Sequence, residues 1–300
     1  MPTASAPHAL PPDDDPAART AAHHPVATAQ MWAIRTAFAT AGRVAPAAAA
    51  RWAETLFCRP PRHEPRTRDH QFLAAGRRYT LVKGEAEVAA WEWGQGPLVL
   101  LVHGWGSRAG RFSTFGPALV EAGFRVVAHD APAHGQSSGT EAALPLFADA
   151  LRVVGRHFGP AAAVVGHSLG GAATVLALRD GLRAERAMLI STPSNIEIFS
   201  HRFARFFGVP ERVREIMQSN LERRFQMAWA DVHTAGIARS LPQPGLVVHD
   251  RDDTDVPLAD ARAIANAWAG AQLIVTKGLG HRGVLRSSEV VHYLIDFLRQ

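Results

Sequence analysis

The stretch AAAVVGHSLGGAATVLALRD, residues 161–180, decides the fold. An apolar run of strand length leads into Gly166-His167-Ser168-Leu169-Gly170, and a helical pattern follows at once. A serine in this G-x-S-x-G setting lies on a sharp strand-to-helix turn that lifts its hydroxyl above the sheet edge. The glycines are required because side chains there would collide with the neighbouring strand and helix. We therefore predict that Ser168 is a nucleophile, against the plainer interpretation of a glycine-rich turn with an incidental serine.

Apolar runs and helical patterns alternate on both sides of this turn. The runs have strand length and lie at 97–103, 124–129, 161–166, 186–191, 245–249 and 271–276. The helical patterns cover 114–122, 143–157, 169–182, 259–268 and 287–298. Two further runs, 78–82 and 86–93 on either side of Gly84, are typical of antiparallel strands. Continuous apolar strands separated by helices predict a mostly parallel sheet that helices cover on both faces.

The segments outside this alternation divide the chain. Residues 1–28 are rich in Ala, Pro and Asp without periodicity, which predicts a disordered tail. Residues 29–69 predict an N-terminal helical arm and linker, with helices over 31–41 and 47–57. The α/β domain then spans 70–300, and 195–241 interrupts it as a helical insertion. We expect the aromatic stripe of the insertion to pack against a neighbour and its interleaved arginines to form a solvated face.

A nucleophilic serine needs a base, and the base needs an orienting acid. His281 lies in GLGHRG, residues 278–283, where glycines on both sides allow the loop to bring an imidazole over the sheet. The acid is expected in the loop after the strand 245–249. That segment holds Asp250, Asp252, Asp253 and Asp255. Position in the loop alone does not choose among them.

With these residues the chain resembles the α/β-hydrolase superfamily, in its esterase and lipase-like branch, over residues 78–300. Members often carry H-G-x-x-D-x-x-V-P after this strand, and the resemblance selects Asp253, four residues after His249. Asp250 stands where the family usually has glycine, which is a departure. HGWG, residues 103–106, is similar to the family's H-G-x motif. DAPAHGQS, residues 130–137, is similar to D-x-P-G-x-G-x-S, with Ala133 in place of a glycine.

The resemblance implies an α/β-hydrolase fold: a mostly parallel, eight-stranded type of sheet covered by helices, with the insertion as a small lid. It implies a catalytic triad of Ser168, Asp253 and His281. The backbone N–H groups of Trp105 and Leu169 would form the oxyanion hole. The implied reaction is hydrolysis of a carboxylic ester, or a related acyl bond, of a small apolar substrate through an acyl-enzyme, without metal or cofactor.

Other activities would keep the same residues. An acyltransferase, a thioesterase, a C–C hydrolase or a cofactor-free peroxidase uses the same triad, and a non-catalytic binding protein could keep the fold. Labelling by a fluorophosphonate probe separates an enzyme from a binding protein. The enzyme activities that share this triad can be told apart only by the substrates that the protein turns over.

Composition and local sequence patterns limit the possible partners and location of the protein. The chain has 300 residues, of which 47% are hydrophobic and 20% charged, and one cysteine, Cys58, which excludes a disulfide within the chain. A formal charge of +5 without a nucleic-acid-binding motif does not favour nucleic acid. The start of the sequence lacks a signal-peptide pattern and no apolar run reaches transmembrane length, so we expect a cytoplasmic protein that binds a small acyl substrate and water. The N-terminal helices leave contact with a membrane surface or a second copy of the chain open.

Overall fold

One eight-stranded sheet forms the centre of the computed structural model, which describes residues 25–84 and 86–300. The strands are β1 (Arg77–Lys83), β2 (Ala86–Trp93), β3 (Leu98–Val102), β4 (Arg125–His129), β5 (Ala161–His167), β6 (Ala184–Ile190), β7 (Gly245–Asp250) and β8 (Gln272–Thr276). Their order is β1-β2-β4-β3-β5-β6-β7-β8. The first two strands run antiparallel to their neighbours, and β3 to β8 run parallel. All parallel strands therefore end at one edge of the sheet.

Helices cover both faces. They are α1 (Pro25–Val44), α2 (Pro46–Phe57), α3 (Thr67–Ala74), α4 (Phe115–Glu121), α5 (Leu144–Phe158), α6 (Leu169–Arg179), α7 (Glu197–Phe207), α8 (Glu211–Phe225), α9 (Thr234–Ala238), α10 (Leu258–Ala267), α11 (Gly280–Gly283) and α12 (Ser288–Arg299). Alternate strand residues enter two separate buried clusters: Leu100 and Val164 lie with α5 and α6, whereas Leu101 and Val165 lie with α4 and α12. Burial on both faces explains why these strands are apolar at every position.

This architecture confirms the predicted fold class, and most predicted strands and helices agree with it to within a few residues. The helix α3 is an addition, because it begins at Thr67 inside the segment predicted as a linker. Its sequence is polar, yet Phe72 and Leu73 are buried, and Phe72 stacks on Trp93 with ring centroids 4.1 Å apart. Of the predicted tail, residues 1–24 lie outside the described residues, and 25–28 form the first turn of α1.

The N-terminal helices pack on the insertion rather than directly on the sheet. Helix α2 runs along α8, and α1 contacts α7. Arg35 of α1 donates two hydrogen bonds, 3.0 and 2.8 Å long, to the carbonyl of Phe206. Phe57 at the end of α2 meets the ring of Phe203 edge-on, with centroids 5.3 Å apart. The arm and the insertion therefore form one helical layer, and a membrane or dimer contact through the arm stays a prediction.

The arginines of the insertion depart in part from the predicted solvated face. Arg214 is buried and bonds to Glu211 and Gln218. Arg202 donates to the carbonyl of Asp255, and Arg224 pairs with Glu141. The contacts of Arg202 and Arg224 tie the insertion to loops at the sheet edge, whereas these two bonds of Arg214 lie within α8. Within the described part of the chain, no helix is long and apolar enough to cross a membrane.

Candidate active site

Ser168 lies where β5 passes directly into α6. Its backbone is in the left-handed region, with φ 55° and ψ −124°, a conformation that non-glycine residues adopt only when their surroundings impose it. The glycines around it allow the turn: a Cβ on Gly170 would collide with the carbonyls of Val102 and His103, and one on Gly171 would collide with Thr192. The serine hydroxyl is thus presented at the carboxyl edge of the sheet, half-buried.

Asp253 and His281 approach each other from the two neighbouring loops. The Nδ1 atom of His281 lies 2.8 Å from Oδ2 of Asp253. The other oxygen, Oδ1, accepts the backbone N–H groups of Asp255 and Val256 at 2.8 and 2.9 Å. Burial acts to raise the pKa of Asp253, but the hydrogen bond from His281 and those from the backbone outweigh it, and the pKa lies below its ordinary value. The carboxylate is therefore ionised and orients the imidazole.

The other three carboxylates of this segment have different partners. Asp250 is buried and accepts donors from its own and the following loop. Asp252 accepts the N–H of Gly278 at 2.9 Å. Asp255 is exposed. Among the four, Asp253 alone contacts the imidazole of His281 within the described residues.

Within the described residues, the hydrogen bonds of His281 join it to Asp253 and His167, and none joins its Nε2 to Ser168 Oγ. Such contacts are often long before substrate binds and tighten in the complex. What the structure brings together is the acid and the base, at the same sheet edge as the serine.

The predicted oxyanion donors lie at the same edge. Within the described residues, neither Trp105 N–H nor Leu169 N–H has an acceptor, so both are available to a ligand. Gly104 lies against Ser168, since a Cβ there would be 2.8 Å from the Cβ of that serine. Leu169 is the first residue of the eleven-residue helix α6, whose N-terminus favours negative charge. The arrangement can stabilise an oxyanion formed beside Ser168.

Comparison with known proteins places this architecture in a family. The sequence model described as "alpha/beta hydrolase fold" matches residues 97–289, a range that contains Ser168, Asp253, His281, Trp105 and Leu169. The chain belongs to the α/β-hydrolase family.

Relatives of this α/β hydrolase carry several activities. It is 28% identical over 240 residues to a non-heme haloperoxidase of Rhodococcus erythropolis, an alignment that covers 63% of this chain and 87% of that protein. It is 25% identical over 273 residues to a bifunctional esterase/perhydrolase of Acinetobacter calcoaceticus, covering 74% and 99%. The solved structure of an esterase from Rhodococcus sp. ECU1013 superposes with a TM-score of 0.58 at 18% identity, covering 75% and 99%, which shows the shared fold.

Two supporting residues of the hydrolase were missed by the sequence reasoning. His167, the variable position before the nucleophile, is buried, and its Nε2 donates to the carbonyl of His281 at 2.8 Å. His134 accepts the N–H of Gly106 at 2.9 Å and so fixes the loop that carries Trp105. Each lies at a variable position of its motif, G-x-S-x-G for His167 and D-x-P-G-x-G-x-S for His134, so the available signal was a histidine inside the motif. Their contacts depend on neighbouring strands and could not be read from one motif.

Buried histidines should make this hydrolase sensitive to acid. Burial is the main cause that lowers the pKa of His129 and of His134 from 6.5 to about 4, and that of His167 to about 3. The unfolded chain takes up these protons near pH 6.5 and the folded chain does not, so stability is complete above pH 6.5 and falls below it. At pH 5 the expected loss is about 2 kcal/mol for each histidine. Burial raises the pKa of Asp130 to about 6, so the protonation of Asp130 favours the folded state as the pH falls. This gain offsets less than the loss caused by one histidine.

Urea unfolding at pH 7.5 and pH 5.0 measures this loss. The sharpest variant is His129→Leu, because neither ring nitrogen of His129 has a partner within the described residues. At pH 5.0 we expect this variant to unfold at a higher urea concentration than the wild type. Its urea midpoint should also depend less on pH than that of the wild type. A pH dependence equal to that of the wild type would show that His129 does not titrate as described.

Proposed function

We propose that this protein is a serine hydrolase that cleaves a carboxylic ester of a small apolar substrate through an acyl-enzyme. The observation that carries the proposal is the 2.8 Å contact between His281 Nδ1 and an ionised Asp253, beside a serine held in a strained turn. An imidazole with Nδ1–H bonded to a carboxylate has Nε2 free to act as a base. The three residues thus have the types, the chain order and the local settings that acyl transfer requires.

The proposed chemistry has two halves. Ser168 Oγ forms a bond to the ester carbonyl carbon while His281 Nε2 takes the hydroxyl proton. The tetrahedral intermediate then breaks its bond to the alcohol oxygen, which leaves with that proton. Water attacks the acyl-enzyme in the same way, His281 takes and returns one proton, and the acid product and Ser168 are released. Asp253 stays ionised and stabilises the imidazolium that forms twice in each cycle.

The oxyanion of each intermediate is assigned to the free N–H groups of Trp105 and Leu169. Fixed donors of this kind cost no reorganisation when charge develops, and removing one typically slows an enzyme by about 10²- to 10³-fold. His134 and His103 support the first donor by fixing the loop: His103 donates to the Gly104 carbonyl at 2.7 Å and accepts the Ala131 N–H at 2.9 Å.

Product partitioning tests the acyl-enzyme directly. Butyrate esters of p-nitrophenol, phenol and ethanol are hydrolysed in the presence of methanol, and the ratio of methyl butyrate to butyric acid is measured. A shared acyl-enzyme predicts one ratio for all three esters, and a ratio that changes with the leaving group contradicts the proposal.

A second outcome of the same intermediate is perhydrolysis. A relative at 25% identity is an esterase/perhydrolase, and two others are named a non-heme haloperoxidase and a non-heme chloroperoxidase. Hydrogen peroxide in place of water would attack the same acyl-enzyme and release a peracid. Adding peroxide to the partitioning experiment measures this: we propose water as the principal acceptor, and a large excess of peracid over acid would favour perhydrolase activity instead.

We propose that the acyl pocket is apolar. Trp105, 37% exposed, follows Gly104, which lies against Ser168, and the ring of Phe199 is half-buried under Arg202 at the start of the insertion. Several other apolar side chains of the insertion are used in packing: Met217 and Leu221 belong to the same buried cluster as Ala50 of α2. The pocket is therefore expected to be small.

A homologous series of p-nitrophenyl esters measures the pocket. From acetate upward, kcat/KM should rise about fourfold for each added CH₂, because each buried CH₂ contributes about 0.8 kcal/mol, until the insertion limits chain length. Charged acyl groups should be poor substrates. A flat profile, or a preference for a carboxylate-bearing acyl group, would contradict the apolar pocket. The second of these outcomes would instead make Arg202 or Arg205 a substrate ligand.

A further inference from the structure

Asp250 departs from the glycine that the family usually has here, and its side chain is fully buried at the end of β7. Its carboxylate accepts hydrogen bonds on both oxygens. Oδ1 accepts the N–H of Asp252 and of Gly280, each at 3.0 Å. Oδ2 accepts the hydroxyl of Thr276 at 2.8 Å and the N–H of Leu279 at 3.1 Å. One side chain thus joins the loop that carries the acid to the loop that carries the base.

The loop before His281 depends on such contacts. It turns through Gly278 and Gly280, both in the left-handed region with φ 81° and 62°, and a Cβ on either glycine would meet no atom within 4 Å. Glycines in open space let a backbone move freely. The N–H groups of Leu279 and Gly280, immediately before His281, are both held by Asp250. From the other side, His167 holds the carbonyl of His281.

The charge state suits this role. Burial acts to raise the pKa of Asp250, but the N–H of Gly280, the Thr276 hydroxyl and the remaining donors outweigh it and hold the pKa below its ordinary value. An ionised carboxylate has acceptor capacity for all four donors, and hydrogen bonds to a charged acceptor are stronger than those to a neutral one. A neutral amide would offer one acceptor oxygen instead of two, and a glycine would offer none.

We propose that Asp250 is a positioning residue, which fixes the backbone before His281 and thereby sets the imidazole against Asp253 and Ser168. This inference rests on the proposed function. A misplacement of about 1 Å in a catalytic group can cost about 10²-fold in rate. We therefore expect Asp250→Gly, which restores the family's usual residue, to lower kcat by about 10²-fold with KM within about threefold of the wild type.

Steady-state kinetics of graded variants test the inference. Thr276→Val removes one of the four bonds, Asp250→Asn keeps one acceptor oxygen, and Asp250→Gly removes all four. We expect kcat to be highest in the wild type and to fall in the order Thr276→Val, Asp250→Asn, Asp250→Gly. Val154→Ala, on the buried face of α5, is the control for a loss of stability. This variant should keep the kcat of the wild type below its unfolding temperature. If Asp250→Gly does not fold, Thr276→Val and Asp250→Asn still decide.

The imidazole N–H proton of His281 provides an independent readout. A proton shared between Nδ1 and the Asp253 carboxylate gives a far-downfield proton resonance, and we expect it in the wild type and in Val154→Ala but weakened or lost in Asp250→Gly. For Asp250→Gly, a kcat within threefold of that of the wild type, equal effects on kcat and KM, or an unchanged resonance would overturn the inference. If the wild type hydrolyses no ester, the proposed function fails, and the resonance alone decides the role of Asp250. If the resonance is absent from the wild type, or if it persists in Asp250→Gly, the positioning role of Asp250 is overturned.

Discussion

Replacing Ser168 with alanine is expected to lower kcat for p-nitrophenyl ester hydrolysis by about 10⁴- to 10⁶-fold. The variant loses the attacking oxygen, while the donors of Trp105 and Leu169 and the substrate contacts remain, so a residual rate above that of water is expected. Alanine carries a Cβ as serine does, so the strain at φ 55° is the same in both proteins. The unfolding midpoint should therefore match that of the wild type.

The control for this result is Ser219→Ala, which should keep full activity. Activity of Ser168→Ala within tenfold of the wild type would remove Ser168 from the mechanism. A parallel fall in activity and in the unfolding midpoint would instead show that the turn had been disrupted. Circular dichroism on the same samples separates these two outcomes.

Asp253→Asn is expected to lower kcat by about 10⁴-fold, because the amide forces the wrong imidazole tautomer. The N–H groups of Asp255 and Val256 both point at Oδ1, so the amide oxygen of asparagine must take that position. Its NH₂ group then faces His281 Nδ1, which has to accept and so cannot carry a proton. The proton moves to Nε2, where the base must be free.

Three matched variants are the controls for this prediction. Asp252→Asn can remove at most one contact, to Gly278 N–H, and Asp255→Asn changes an exposed side chain, so both should retain most of the activity. Asp250→Asn should lie between these and Asp253→Asn. A larger loss at Asp255 or Asp250 than at Asp253 would mean that the acid has been assigned to the wrong residue.

Local sequence patterns predicted the sheet and the nucleophile turn because both depend on residues close together in the chain. Strands buried on two faces must be apolar throughout, and the turn at Ser168 needs glycines where Gly170 and Gly171 approach neighbouring backbone and Thr192. The helix α3 was missed for the opposite reason. Its eight residues are mostly polar, and its burial depends on Trp93 of a distant strand.

The acid could not be derived from residues alone, because four carboxylates lie within six positions. The structure adds the turn in which Asp253 Oδ1 accepts two backbone N–H groups, so that Oδ2 faces the loop after β8. Which carboxylate meets His281 depends on how that second loop approaches. The same dependence hid Asp250, whose donors at Leu279 and Gly280 lie about thirty positions further along the chain.

Labelling with a fluorophosphonate probe tests the central claim most directly, since the probe reacts with an activated serine and forms a stable adduct. The account predicts one adduct per chain by intact-protein mass, on the peptide that contains Ser168. It predicts none in Ser168→Ala and a much slower reaction in His281→Ala and Asp253→Asn. An adduct on any other serine, or labelling of Ser168→Ala at the wild-type rate, would contradict the account.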